Sequence, residues 1–251
     1  MGIIINADDY GMNERCSKAI AQTFRQRLVT DTTVMANGEY FDEALALAKE
    51  EGFFNRIGIH LNLTEGVPLT EDIKSCDAFV KDGRFYHGKN IRLLSQDEQN
   101  AVYRELSAQI ERVQKAGVTV THADSHHYIH TKAPVAPIAV QVCKEHGIDK
   151  MRIAKNLGFI PDHERARNAA FNDWLRRQLV KTVRYFTALR NIDDSSVIFD
   201  NTEILVHPDY DRDGRLIDRR GTENGFPVGA AIPDLCKSNG RKPISYKDIY
   251  T

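Results

Sequence analysis

Short strand-like segments alternate with amphipathic helical patterns along this chain, and no other feature constrains its fold as strongly. The predicted strands cover residues 3–5, 32–35, 56–62, 118–124, 151–153, 196–199 and 202–207. Helical periodicity predicts helices over about 13–27, 41–48, 96–116 and 134–145, and a long helical region that runs through 174–186. Strands that alternate with helices in this way are typical of βαβ units, which build a parallel sheet.

The pattern favours a barrel over an open doubly wound sheet. No G-x-G-x-x-G or Walker A motif follows a predicted strand, which removes the usual nucleotide-binding reason for an open sheet. The composition shows no break along the 251 residues, and barrels of this length commonly form one domain. We therefore predict an α/β fold with a single domain over 1–251, an irregular or incomplete TIM-like (β/α) barrel.

Residues 64–95 lose their periodicity and are predicted to form a long excursion, either a wall of the site or a decorative insertion.

Two adjacent carboxylates, Asp8 and Asp9, follow the first apolar run and precede Gly11 in a predicted turn. Like charges at the end of a buried strand repel each other and resist desolvation unless a cation or a proton lies beside them. A structural alternative is a helix N-cap followed by a turn, with Asn13 or Asp9 as the capping residue. Taken alone, the pair supports the two interpretations about equally.

Histidines occur at or just past the ends of three other predicted strands. His60 and His207 each end a strand, and His126, His127 and His130 form a cluster after the fourth. The carboxyl ends of barrel strands meet at one rim, so we expect these side chains to lie near the acidic pair. At least one residue of the cluster is expected to bind a metal, and its members cannot be separated by spacing alone. His122 lies within a strand, where a packing role or a contact to a metal ligand is the expectation.

One aspartate with two histidines suits a divalent metal such as zinc, cobalt or manganese. Asp9, His60 and His126 can supply this set from three strand ends. Asp8 would then act as the general base that takes a proton from metal-bound water, and His207 would donate a proton to a leaving group.

Charge and cysteine content exclude several other classes of function. The formal net charge of -1 gives no global field that attracts nucleic acid or an anionic membrane. The four cysteines form no CxxC pair, which argues against a zinc knuckle and fits a reduced cytoplasmic protein. No apolar stretch approaches transmembrane length, and no signal-peptide pattern is found at the N-terminus.

Four motifs occur in order across nearly the whole chain: residues 6–11 (NADDYG), 57–64 (IGIHLNLT), 121–127 (THADSHH) and 203–208 (EILVHP). Together with Thr32-Thr33 and Asn37-Gly38, they resemble the YdjC-like carbohydrate deacetylase family. The resemblance implies a (β/α) barrel with fewer than eight regular strands. It also implies metal-dependent removal of acetyl groups from N-acetylated sugars such as chitooligosaccharides.

Residue by residue, the resemblance matches Asp8 to the general base and His207 to the acid. It matches Asp9, His60 and His126 to the metal ligands, and Arg152 to an arginine that holds the base in place. It further implies a magnesium ion and a homodimer, although two imidazole ligands suit softer ions better than magnesium.

We expect Asn37, Tyr128 and His130 to bind the sugar substrate. Tyr128 replaces a histidine that is common after His127 in the family, and Asp209 replaces a glycine that is common after His-Pro. Neither change affects a predicted ligand, but the first bears on which sugar is accepted. A metal-dependent phosphoesterase on a similar barrel is the alternative enzyme, and a sugar-binding protein with a vestigial site is disfavoured.

Overall fold

The computed structural model describes residues 2–88, 91–192, 198–221 and 240–249. The strands of these residues are β1 Ile3–Tyr10, β2 Asp31–Val34, β3 Ile57–Leu61, β4 Val80–Lys81, β5 Arg84–Phe85, β6 Ala123–Ser125, β7 Tyr185–Ala188, β8 Thr202–Val206, β9 Pro208–Tyr210 and β10 Leu216–Asp218. Six of them form one sheet in the order β6-β3-β2-β1-β8-β7, in which every pair is parallel. The last long strand therefore pairs with the first, as it does in a barrel.

The two edges of this sheet curl towards each other and are bridged by a short segment around residues 150–157. On one side, the Arg152 amide donates to the carbonyl of Ala123 at 3.0 Å. On the other side, the Asn156 amide donates to the carbonyl of Phe186 in β7 at 3.1 Å. The predicted strand at 151–153 is thus reduced to isolated bridges. The result is an α/β fold with a curled parallel sheet, consistent with a partial TIM-like barrel.

Helices pack outside the curled sheet. They are α1 Glu14–Arg25, α2 Phe41–Glu50, α3 Gln96–Lys115, α4 Ala136–Glu145 and α5 Asp162–Arg177. Asn13 caps α1 by accepting from the Cys16 amide at 2.9 Å, and Ser95 forms a capping box with Glu98 at the start of α3. Gly117 follows the end of α3 with φ +90°, as its sequence position predicts. The first four predicted helices are confirmed.

Among the described residues, no helix is both long and apolar enough to cross a membrane.

The predicted helical region through 174–186 is wrong beyond α5, which ends at Arg177. Leu179 has a φ of 60° and is 86% exposed, so it cannot continue a buried helical face. Phe186 belongs instead to β7, a four-residue strand whose apolar residues also fit a helical spacing. The predicted strand 118–124 is confirmed only at its last two residues, because residues 118–122 approach β3 without forming a regular ladder. For the predicted strand 196–199, Ile198 and Phe199 belong to no strand and the rest lies outside the described residues.

The excursion at 64–95 is anchored to the core at several of its described residues. It contains a short 3₁₀ helix, Asp72–Ser75, and the β4–β5 hairpin. Phe79 and Phe85 join the main hydrophobic cluster, and the backbone amides of Leu69 and Thr70 donate to the buried carboxylate of Glu105 on α3. This segment therefore packs over α3 and reaches the carboxyl end of β3.

Candidate active site

Asp8 and Asp9 lie within β1 and not in a turn after it, which corrects the sequence-based expectation. Pairing with β2 shifts register between Ala7 and Tyr10, and Asp9 has a φ of 71°. Successive side chains of a regular strand point to opposite faces, whereas a bulge can re-aim them. This irregularity allows both neighbouring carboxylates to enter the same buried network. Since Asn13 caps α1, the alternative that Asp9 is the helix cap is wrong.

The Asp9 carboxylate meets two imidazoles from other strand ends. Its Oδ1 atom lies 2.7 Å from Nδ1 of His126 and 3.1 Å from Nε2 of His60, and all three side chains are buried. Burial alone would raise the pKa of Asp9, but the hydrogen bonds and charges of His126 and His60 hold it well below its usual range. The carboxylate is therefore ionised, as a metal ligand must be.

Each of these imidazoles has a second carboxylate on its other ring nitrogen. Nδ1 of His60 lies 2.6 Å from Asp124, and Nε2 of His126 lies 2.9 Å from Glu65. Carboxylates in this position fix the orientation and tautomer of a metal-binding histidine. Asp9, His60 and His126 thus form a buried group that could hold a divalent metal ion.

A second possible metal group, Asp8 with His60 and Asp124, shares one histidine with the first. Arg152 lies between its two carboxylates, with one guanidinium nitrogen 2.7 Å from Asp8 and also 2.7 Å from Asp124. A guanidinium nitrogen that bridges the two carboxylates fills the space that a metal ion would need between them. The group around Asp9 is therefore the better candidate for a metal.

Arg152 is completely buried and also pairs with Glu203 at 2.6 Å. Burial would raise the pKa of Asp8, but the Arg152 charge and its hydrogen bonds outweigh this and lower the pKa to about 2. Asn6 adds a hydrogen bond to Asp8 at 2.8 Å. Asp8 is consequently ionised and oriented, and it lies outside the Asp9 group.

His207 follows β8 and faces the same region. Its Nε2 atom is 4.0 Å from Asp9, and its Nδ1 atom is 3.9 Å from Asp218. Burial lowers the pKa of His207 to about 3, so the imidazole is neutral at rest. The Arg219 guanidinium bonds the second oxygen of Asp9, so this carboxylate is engaged on both sides.

Two neighbouring spaces are lined by residues of this region. A cavity of about 40 Å³ is lined by Asp8, His60, Ser125, His126, His127, Tyr128, Arg190, Leu205, His207 and Arg220. A cleft of about 370 Å³ shares His127, Tyr128 and Arg190 with it. The small cavity suits a water or a small polar group, and the cleft is within the size range of small-molecule sites.

The three residues expected to bind substrate are placed differently. Tyr128 lines both the cavity and the cleft. The Asn37 amide instead donates to the carbonyls of Glu65 and Val67, so it supports the start of the excursion. His130 is 1% exposed and its ring nitrogens contact Ser125 and the Arg152 carbonyl, so it lies behind the site and outside the lining of either space. The expectation for His130 is not favoured by this placement.

Sequence reasoning gave no role to four residues that the structure places in the network: Glu65, Asp124, Glu203 and Arg219. Asp124 lies in the motif at 121–127, Glu203 lies in the motif at 203–208, and Glu65 directly follows the motif at 57–64. Their closeness in sequence to the predicted site residues could have identified them. Arg219 follows the β9–β10 hairpin, and the basic pair Arg219-Arg220 predicts a solvated surface from sequence, which is wrong for Arg219 because its guanidinium bonds Asp9. His122, expected to pack or to support a ligand, stacks on Tyr246 at 3.7 Å and contacts Asn6 at 3.2 Å.

The fold and the site define a class of protein with a curled parallel sheet whose strand ends carry a buried Asp–His–His group. Residues 2–233 match the family described as YdjC-like protein, and the chain belongs to this family. A carbohydrate deacetylase of Vibrio parahaemolyticus is 30% identical over 212 residues, which cover 84% of this chain and 79% of the relative. A carbohydrate deacetylase of Brevibacillus brevis is 36% identical over 148 residues, which are 59% of this chain and only 58% of that protein.

Two solved structures resemble the fold. A candidate cellobiose-phosphate cleavage protein of Enterococcus faecalis has a TM-score of 0.74 at 20% identity, with 99% of this chain and 98% of that chain covered. The lactam utilization protein of Thermus thermophilus has a TM-score of 0.53 at 15% identity, with 98% and 100% covered. At these identities the two structures support the fold alone.

Proposed function

We propose that this protein is a metal-dependent hydrolase that removes acetyl groups from N-acetylated carbohydrates of the chitooligosaccharide type. The observation that carries the proposal is the division of the acidic pair. Asp9 joins His60 and His126, whereas Asp8 is held by Arg152 at the edge of the same cavity. The Asp9 carboxylate is thus available to bind a metal, and the Asp8 carboxylate is available to accept a proton. The names of the curated relatives support the same activity.

Asp9, His60 and His126 would hold the metal. One carboxylate and two imidazoles fit zinc, cobalt or manganese better than magnesium, although the resemblance implies magnesium. A divalent cation bound there would polarise the acetyl carbonyl and make a nearby water more acidic.

The side chains around the metal group would carry the proton transfers. Asp8 accepts a proton from the attacking water, and Arg152 keeps the carboxylate aimed at the cavity. His207 donates a proton to the departing amine nitrogen. Burial lowers the pKa of His207 to about 3, so the imidazole is neutral at rest, and the proton that Asp8 takes from the water is the one that His207 would pass on to the amine. Overall, one amide and one water are converted to one carboxylic acid and one amine. Tyr128, which lines the cleft, would contact the sugar.

Acetate release tests the proposal directly. The protein would be stripped with a chelator, restored with one metal at a time, and assayed on N-acetylglucosamine and its short β-linked oligomers. We expect release only with a restored metal, and loss of release in His60→Ala but not in the exposed control His163→Ala. Absence of acetate release with every metal and sugar would overturn the proposal.

A metal-dependent phosphoesterase is the second candidate, and one observation favours it. The larger cleft is lined by Lys132, Lys155, Arg167 and Arg190, which suit an anionic substrate. Two-metal phosphoesterases, however, need a second ion beside the first, and the Arg152 guanidinium occupies the space between Asp8 and Asp124. Phosphate release from phosphorylated sugars, measured in parallel with acetate, separates the two functions.

A further inference from the structure

Glu65 makes an unusual contact at the start of the excursion that follows β3. Its Oε2 atom lies 2.9 Å from Nε2 of His126. The Glu65 side chain is 51% exposed, whereas the His126 side chain is only 2% exposed. A carboxylate at the surface therefore reaches inward to one of the three residues of the candidate metal group.

The two ring nitrogens of His126 have separate partners. Nδ1 faces the Asp9 oxygen at 2.7 Å, on the inside of the group, and Nε2 faces Glu65 on the outside. His60 shows the same division, with Nε2 facing Asp9 and Nδ1 facing Asp124. Each imidazole thus presents one nitrogen to the metal position and one to a carboxylate.

We propose that Glu65 is a positioning residue for the metal, which fixes the His126 ring and makes its inner nitrogen a stronger ligand. A carboxylate that accepts the outer N–H of a metal-binding imidazole selects the tautomer whose other nitrogen is free to bind. This inference rests on the proposed function, since it requires that the Asp9 group binds a metal. If Glu65 has this role, the excursion at 64–95 supplies a residue that supports the metal site.

The chain around Glu65 is built to present this side chain. Asn62 accepts from the Glu65 amide at 3.2 Å and donates to the Glu65 carbonyl at 2.6 Å. Asn37 donates to the same carbonyl at 3.0 Å. The backbone of Glu65 is therefore fixed from two strand ends.

Glu65 is a better experimental probe than Asp124, the carboxylate on the other histidine. Asp124 is fully buried and shared with Arg152, so its removal would leave an uncompensated buried cation. Glu65 has His126 as its side-chain partner and faces solvent. Its substitution should change the metal site without unfolding the protein.

The test is zinc affinity, measured on the full chain by competition with a chromogenic chelator in the absence of sugar. We expect Glu65→Ala to weaken zinc binding by about 10- to 100-fold, the usual loss when such an outer partner is removed. Glu65→Gln should lose less, because its amide oxygen still accepts a hydrogen bond. Glu71→Ala is the matched control, since Glu71 lies on the same excursion, is 86% exposed and pairs only with Lys74 among the described residues.

Ring nitrogen NMR of the zinc-loaded protein gives a second readout that a merely structural role would not produce. The His126 Nε2 proton signal should shift or disappear in Glu65→Ala, with the His60 signals retained. Equal zinc affinity in wild type, Glu65→Ala and Glu71→Ala would overturn the inference and leave the proposed function intact. Failure of the wild type to bind zinc, cobalt or manganese would overturn both.

Discussion

Arg152 and Asp8 form a two-point ion pair in which two guanidinium nitrogens each donate to a different carboxylate oxygen at 2.7 Å. The same guanidinium also contacts Asp124 and Glu203, so one buried cation serves three buried carboxylates. Tyr246 donates to the free oxygen of Glu203 at 2.5 Å, which extends the network to the last described segment. The position of the proposed base is therefore set by contacts from several distant parts of the chain.

Replacement of Arg152 should be strongly destabilising. In Arg152→Lys, an ammonium group cannot reproduce the planar two-point geometry, and part of the carboxylate charge loses its partner. Breaking a buried ion pair typically costs about 3–5 kcal/mol in the free energy of unfolding. Urea unfolding measures this loss, with Arg176→Lys on the exposed surface of α5 as the matched control, for which a change below about 1 kcal/mol is expected. Equal stability of the two variants would show that the buried network does not depend on guanidinium geometry.

Asp8→Asn separates proton transfer from metal binding. Asparagine preserves the size of the side chain but not the charge that accepts a proton, so the rate of acetate release should fall by about 10²- to 10⁴-fold. Zinc affinity should change far less, because Asp8 lies outside the Asp9 group. Asp211→Asn, in the loop after β9, provides the control. Full activity in Asp8→Asn would disprove the assignment of the base.

Asp31 should make stability depend on pH at the outer end of the buried network, where its carboxylate accepts from the Tyr246 amide. Its carboxylate is fully buried, and burial raises its pKa to about 6 despite hydrogen bonds from Ser245 and Tyr246. A pKa that is raised in the folded state contributes stability below the unfolded value, and this stability is lost as pH rises through the folded value. From the usual 3.8 to about 6, the loss amounts to about 3 kcal/mol.

The measurement compares the free energy of unfolding of wild type and Asp31→Asn between pH 4 and about pH 7. The asparagine does not titrate, so wild type should lose stability relative to the variant as pH rises through this window. A difference that stays constant with pH would show that Asp31 has the same proton affinity in both states.

Local patterns predicted most of the fold. β1, β3 and β8 have apolar runs long enough to identify, α1 to α4 carry periodic faces, and α1 and α3 begin at side-chain caps. β7 was missed because a four-residue strand holds too little pattern to compete with a helical spacing nearby. The bulge at Asp9 was missed for another reason: it depends on the register against β2, which is a property of two strands together.

The site was predictable to the extent that its residues follow strand ends. Asp9, His60 and His126 converge because parallel strands bring their carboxyl ends to one rim. Glu65 and Arg219 reach the same place from loops, across 61 and 210 residues of chain, and no spacing rule connects such positions. His130 is close to the cluster in sequence but lies behind the site in space, so its contact with the sugar stays a prediction that this placement does not favour.

Gly58 tests whether packing beneath the site controls the base. A Cβ atom at this position of β3 would lie 2.6 Å from the His122 ring and 2.7 Å from its backbone oxygen, so Gly58→Ala must displace His122. His122 contacts Asn6, which in turn donates to Asp8. Overpacking of this kind costs about 1–3 kcal/mol of stability.

Activity should fall further than this loss of stability explains, because the displacement is transmitted to Asp8 through Asn6. The expected result is a folded Gly58→Ala protein with reduced kcat and a nearly unchanged KM, measured at a temperature where unfolding assays show it native. Gly88→Ala is the matched control, because its added Cβ would meet other atoms only at ordinary contact distances of 3.5 Å or more. If a folded Gly58→Ala protein kept the wild-type kcat, the His122–Asn6 contact would have no part in orienting the base.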